Sequence, residues 1–107
     1  MARFYPLEKL INLHDDYSGR FKIDSLELLL IQRRGERYLL EGRCPHRGHS
    51  LEHAELENDV IECALHRYQF NIHSGHLVLA TEQACRNLRT FELVYEGNEV
   101  GVVLDDA

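Results

Sequence analysis

Cys44 and His46 form a C-x-H pair, Cys63 and His66 form a C-x-x-H pair, and residues 47–62 lie between the two. These are soft and borderline donors arranged in two matched clips. One short loop can present two donors to one side of a metal centre while a second, facing loop supplies the other two. Two thiolates with two imidazoles suit either a tetrahedral zinc ion or a [2Fe-2S] cluster in which histidines replace the cysteines on one iron. Cys44 and Cys63 as mere small buried hydrophobes would leave unexplained why each has a histidine two or three residues away.

The order of the donors separates the two chemistries better than their number. In a Cys2His2 zinc finger the cysteines lie together and the histidines lie together. Here each clip mixes them, which suits a dinuclear cluster: each loop then holds both irons, with Cys44 and Cys63 on one and His46 and His66 on the other. With CPHRG at 44–48 as well, the stretch 43–75 resembles the Rieske [2Fe-2S] family, whose pattern is C-x-H, roughly 15 to 17 residues, then C-x-x-H. It is most similar to the small ferredoxins that serve bacterial ring-hydroxylating oxygenases, and to the related small subunit of assimilatory NAD(P)H nitrite reductase.

The resemblance implies one [2Fe-2S] cluster per chain, held by Cys44, His46, Cys63 and His66. It implies an all-β fold in which antiparallel sheets form a base and a small rubredoxin-like subdomain holds the cluster between two loops. Residues 1–107 would then be a single Rieske domain, with the subdomain at about 43–75 and the base drawn from 1–42 and 76–107. The implied role is a soluble electron carrier between a flavin-dependent reductase and a terminal oxygenase. Two alternatives stand beside it: a small subunit bound to the large subunit of nitrite reductase, and a structural zinc module without electron transfer. Catalysis by this chain alone is not expected, because an oxygenase also needs a mononuclear iron held by two histidines and a carboxylate. A chain of 107 residues has no room for that further domain.

Formal charge sets the expected potential. Two ferric ions, two sulfides, two thiolates and two neutral imidazoles sum to zero, whereas four thiolates start more negative. Rieske centres accordingly span about -150 to +300 mV, against about -400 mV for plant-type ferredoxins. High-potential members carry an extra cysteine in each clip and hydroxyl donors to the cluster sulfurs. Neither clip here has a second cysteine, and Tyr68 and Phe70 stand where those members have serine and tyrosine. Fewer hydrogen bonds to sulfur stabilise the reduced state less, so a value near -150 mV is expected. The resemblance also implies that His46 and His66 expose their free ring edges, making either one an electron exit whose protonation is coupled to reduction.

The chain departs from the family pattern in several places. Arg67 stands where glycine or another small residue is usual, and Leu65 replaces a common aromatic or proline. ATEQACRNL at 80–88 lacks the proline-rich cover loop, which brings Cys85 into the neighbourhood of the site, as a small buried residue rather than a ligand. His49 and His53 read as surface histidines, and His14, His73 and His76 carry no readable signal.

Composition bounds the rest. A charged fraction of 28% and a hydrophobic fraction of 44% in 107 residues describe an ordinary one-domain globular protein. The longest apolar run, LELLLI at 26–31, is far too short to cross a bilayer. MARFYPLEKL lacks the apolar core and cleavage site of a signal peptide, and the odd Cys85 does not fit paired extracellular thiols, so a cytoplasmic location is expected. A net charge of -6 disfavours nucleic acid, whose binders need a basic face. Arg43, Arg47 and Arg67 flank the clips, either as a basic collar or paired with Glu52, Glu55, Glu57 or Glu62.

Period-two runs punctuated by turn residues indicate strands throughout. FYPLEKL at 4–10 reads as a strand that Pro6 keeps at an edge or a strand end. Asp15, Asp16, Ser18 and Gly19 mark a turn, followed by strands RFKID at 20–24, LELLLIQ at 26–32 and RYLLEG at 37–42, the last two a hairpin leading into Cys44. SLEHAELEND at 50–59 reads as a loop with one turn. VIEC at 60–63, YQFNI at 68–72 and HLVLA at 76–80 read as strands, as do LRTFELVYE at 88–96 and VGVVL at 100–104.

Overall fold

A computed structural model describes residues 2–105. In chain order the strands are β1 (Ala2–Lys9), β2 (Ser18–Ile23), β3 (Leu26–Arg33), β4 (Glu36–Glu41), β5 (Glu55–Glu57), β6 (Val60–Glu62), β7 (Gln69–Asn71), β8 (Leu77–Leu79), β9 (Thr90–Phe91), β10 (Val94–Glu96) and β11 (Glu99–Asp105). The described residues contain no α-helix, only a 3-10 turn at Leu10–Asn12. The all-β expectation therefore holds. Three antiparallel sheets form, in the orders β1-β11-β10, β2-β3-β4-β9 and β5-β6-β7-β8.

β3 organises the packing. Successive side chains of a strand point to opposite faces. Leu28 and Leu30 therefore pack with Leu39, Val100 and Val102 on the face towards the first sheet. Leu29 and Ile31 turn the other way and join Cys44, Cys63, Tyr68 and Phe70. Burial on both faces is why this stretch is continuously apolar instead of alternating, in the manner of a strand covered on both sides. All four side chains are at most 4% exposed, and each contributes about 1.5–3 kcal/mol of burial. The same strand thus braces the base and the floor of the clips.

Tight turns deliver the chain to the clips. Arg34 and Gly35, with φ of 53° and 77°, make the two-residue turn between Arg33 and Glu36, whose positive dihedrals match the twist of the flanking strands. β4 then runs through Gly42 and Arg43 directly into Cys44. On the far side, Gly75 has φ +77°, and a Cβ there would stand 1.9 Å from the Leu88 carbonyl oxygen. Only glycine lets the 80–88 segment return this close, where the Leu88 N–H donates to the Gly75 carbonyl at 2.8 Å.

Most strand expectations hold, including Pro6 in an edge strand, where the register with β11 slips between Pro6 and Glu8. Three differ. Ser18 and Gly19 belong to β2, paired with Ile31 and Leu30, and the turn before them is confined to Asp15 and Asp16. The 50–59 stretch is not all loop: Glu55–Glu57 pairs with β6 across Asn58 and Asp59, and Leu56 packs towards the core while Glu55 and Glu57 face out. Three residues are too few for a periodicity to register in sequence. The run 88–96 is two strands, because β9 pairs with β4 while β10 pairs with β11, and the chain changes sheets at Glu92 and Leu93. Among the described residues no helix is long and apolar enough to cross a membrane.

Candidate metal centre

The two clips are built alike. The Cys44 N–H donates to the His49 carbonyl at 2.7 Å, and the Cys44 carbonyl accepts the Gly48 N–H at 2.8 Å. In the second clip the Cys63 N–H donates to the Tyr68 carbonyl at 2.8 Å, and the Cys63 carbonyl accepts the Arg67 N–H at 3.0 Å. Each cysteine is therefore bonded to the residues four and five positions on. Within this common frame the histidine stands second after Cys44 but third after Cys63, so the two imidazoles leave their loops from different positions. That is the structural content of C-x-H against C-x-x-H.

Closing each loop needs a left-handed residue at its fourth position. Gly48 has φ +70° and Arg67 has φ +59°. An L side chain in this region costs about 1–2 kcal/mol, which is the physical reason glycine is usual there. The Arg67 guanidinium reaches Glu62 at 3.4 Å, but with the Arg67 side chain 78% exposed the pair adds little. Arg67→Gly should raise stability by about 0.5–1 kcal/mol, read as a higher denaturant midpoint at unchanged slope. A lower midpoint would mean that the arginine is held by something other than this strained turn.

The fold brings the four side chains together as two pairs. Cys44 and Cys63 are each 1% exposed, share one core cluster, and place their thiols within hydrogen-bonding reach of each other. Burial pushes the Cys44 thiol up to about 11, opposed by the His46 N–H and reinforced by Cys63. A thiol so reluctant to ionise by itself gives up its proton when a cation replaces it. The His46 and His66 rings meet edge to face with centroids 5.1 Å apart. Tyr68, fully buried, stacks on His46 at 4.1 Å and 13°.

The nitrogens of His46 have opposite surroundings. Nε2 lies 3.1 Å from Glu82 Oε1. Nδ1 is buried and has no hydrogen-bond partner among the described residues. An unsatisfied buried polar atom costs about 1–3 kcal/mol, so native proteins rarely leave one. A buried, unpartnered lone pair two residues from one of two buried thiols is what a metal ligand looks like before its metal is counted, and the donor set fits a centre with mixed sulfur and nitrogen ligation. With only 10% of its side chain exposed, His46 does not present the open edge expected for both histidines.

The 81–89 segment covers this site without prolines. Tyr68 donates its hydroxyl to the Gln83 carbonyl, so that hydroxyl is not directed at sulfur, and Thr81 donates to the His66 carbonyl at 2.5 Å. Behind them, the largely buried Glu41 accepts from Arg86 at 2.6 and 2.8 Å and from the Arg89 N–H at 2.8 Å. Cys85, half-buried, packs on the same core, and burial raises its thiol pKa. Glu82 went unnoticed in the sequence, where nothing distinguishes it from the other acidic residues. Its carboxylate, His46 and His66 keep donor atoms within 4.8 Å of one another; neither His49 nor His53 belongs to that group. The flanking arginines are paired: Arg43 with Glu27, Arg47 with Glu82 at 3.7 Å, Arg67 with Glu62. Only the last uses a glutamate of the segment between the clips.

Comparison with known proteins agrees with this geometry. The ferredoxin component of biphenyl 2,3-dioxygenase from Rhodococcus jostii (strain RHA1) is 34% identical over 86 residues, which is 80% of this chain and 78% of that protein. The ferredoxin of carbazole 1,9a-dioxygenase from Nocardioides aromaticivorans IC177 superposes with a TM-score of 0.78 at 21% identity, covering 92% of this chain and 95% of that one. The reduced complex between oxygenase and ferredoxin in carbazole 1,9a-dioxygenase contains a chain matching at TM-score 0.79 and 22% identity, over 97% of this chain and 29% of that one. At these identities the solved structures establish the shared fold. The Rieske [2Fe-2S] domain matches residues 3–92, and with a relative above 30% identity over most of both lengths, this chain belongs to the Rieske [2Fe-2S] domain family.

Proposed function

We propose that this chain is a one-electron carrier of the Rieske ferredoxin type, passing electrons from a flavin-dependent reductase to a terminal oxygenase. The observation that carries the reading is the buried, unpartnered Nδ1 of His46 together with the two buried, mutually contacting thiols of Cys44 and Cys63. Cys44, His46, Cys63 and His66 are the ligands on this reading, and the [2Fe-2S] cluster they hold supplies single-electron transfer. The protein's own part is positional. Matching backbone bonds hold both loops closed, Tyr68 fixes the plane of the His46 ring, and the two-sided burial of β3 keeps water from the thiols.

The oxygenase as acceptor is supported by the likeness to the ferredoxin component of biphenyl 2,3-dioxygenase and to the ferredoxin of carbazole 1,9a-dioxygenase. These likenesses favour a carrier over a small subunit of nitrite reductase. The chain is then an electron carrier and not itself an enzyme. We read residues 1–107 as one Rieske domain, with the cluster-binding subdomain at about 43–75 and the base from 1–42 and 76–107; the separate β5-β6-β7-β8 sheet supports such a division. A cytoplasmic location is supported by the unpaired Cys85, the one cysteine outside the proposed ligand set.

Protein purified without air should contain two irons and two acid-labile sulfides per chain, and when reduced should give a paramagnetic signal with average g below the free-electron value. One zinc per chain, or protein that stays colourless after reconstitution with iron and sulfide, overturns the reading. Voltammetry should give about -150 mV, since neither Phe70 nor the Tyr68 hydroxyl donates to sulfur. A clearly positive value refutes that part.

A further inference from the structure

Glu82 places a carboxylate beside the outer nitrogen of His46, and contacts on either side of it hold its segment in place. The Tyr68 ring lies flat on His46 at 4.1 Å, and its hydroxyl donates to the carbonyl of Gln83, the next residue along. The Thr81 hydroxyl donates to the His66 carbonyl at 2.5 Å. Arg47, from the first clip, approaches the same Glu82 oxygen at 3.7 Å. The chain is thus tied on both sides of Glu82, whose side chain is 46% exposed, and Oε1 lies 3.1 Å from His46 Nε2. With Nδ1 turned inward and unpartnered, Nε2 is the nitrogen that carries the proton, and its N–H donates to Glu82. A carboxylate on the outer nitrogen of a ligating histidine fixes the tautomer, orients the ring and makes the inner nitrogen a stronger donor.

We infer that Glu82 is a positioning and potential-setting residue: its carboxylate accepts the Nε2–H of His46, lowers the reduction potential of the centre, and makes the two imidazoles inequivalent. This rests on the ligand assignment proposed above. An electron added to the centre meets the Glu82 carboxylate across one imidazole, which favours the oxidised state, an effect reduced by the 46% exposure of Glu82 and by the Arg47 guanidinium 3.7 Å away. His66 has no such cap. Its ring makes no side-chain hydrogen bond among the described residues, and its neighbour Leu65 is 57% exposed. His46 and His66 are both half-buried, and a His66 ring nitrogen also lies within 4.8 Å of the Glu82 carboxylate, so the asymmetry rests on the hydrogen bond that His46 makes and His66 does not.

Glu82→Gln keeps an oxygen that accepts the Nε2–H but removes the charge, while Glu82→Ala removes both. Glu96→Gln, on β10 in the first sheet, is the control for net charge. Each protein is loaded with iron and sulfide, checked by ultraviolet–visible and paramagnetic resonance spectra, and titrated by voltammetry. Both Glu82 variants should favour the reduced state about tenfold more than wild type, a positive shift of about 59 mV for a one-electron couple, with Glu96→Gln unmoved. Shifts below about 18 mV, less than a twofold change in the reduced-to-oxidised equilibrium, in both Glu82 variants with spectra intact overturn the assignment and leave the ligand set standing. Absence of the cluster spectrum from wild type overturns the ligand reading itself.

Discussion

Cys63→Ser and His66→Ala are each expected to yield folded protein holding less than about a tenth of the wild-type iron and sulfide. Outer partners of metal ligands alone are worth about 10–100-fold in affinity, and loss of a ligand from a four-donor set costs more. The fold should survive, because the core on the base side of β3, with Leu28, Leu30, Leu39, Val100 and Val102, contains none of the proposed ligands. Circular dichroism of the variants should therefore keep its β character while the visible absorption is lost. Cys85→Ser is the informative control. Cys85 packs against the same cluster of residues without being one of the proposed donors, so this variant should retain full loading. Retention of cluster in Cys63→Ser, or its loss in Cys85→Ser, would show that the donor set has been drawn wrongly.

The double variant His46→Cys with His66→Cys should bind a cluster at a potential lower by on the order of 250 mV, moving from about -150 mV towards the -400 mV or so of all-cysteine centres. Replacing two neutral imidazoles by two thiolates makes the centre more negative by two charges, and the added electron is correspondingly harder to accept. Glu82 adds to the effect, since its carboxylate would then face a thiolate rather than accept an N–H from His46. The average g of the reduced signal should change with the potential. An unmoved potential in a loaded double variant would mean that the histidines do not ligate iron.

Much of this architecture can be read directly from the residues. The pairing of RYLLEG with LELLLIQ is legible because Arg34 and Gly35 interrupt two apolar runs with the one dipeptide length that suits a tight hairpin, and both residues take positive φ. Pro6 is legible as an edge residue because it cannot donate to a ladder. The short β5 was not legible: ELE has a period of two, but three residues among helix formers carry too weak a pattern until β6 is there to pair with them. The division of 88–96 was hidden for a similar reason. Both halves have strand composition, and what separates them is that their partners, β4 and β11, lie in different sheets.

The candidate site divides in the same way. The identity of the four proposed donors follows from sequence alone, because donor type is fixed by the side chain, and C-x-H and C-x-x-H each place two donors on one short loop. The left-handed demand at Arg67 shows in sequence only as a departure from glycine; the backbone bond from its N–H to the Cys63 carbonyl explains it. Tertiary structure alone decided that the two histidines differ. Glu82 reaches His46 through a return of the chain that Gly75 permits and the Glu41–Arg86 pair anchors, and none of those contacts is local in sequence. Spacing along the chain determines which atoms can serve as donors. Which nitrogen meets a carboxylate and what charge faces the centre depend on segments far apart in sequence, and only their packing brings them within range.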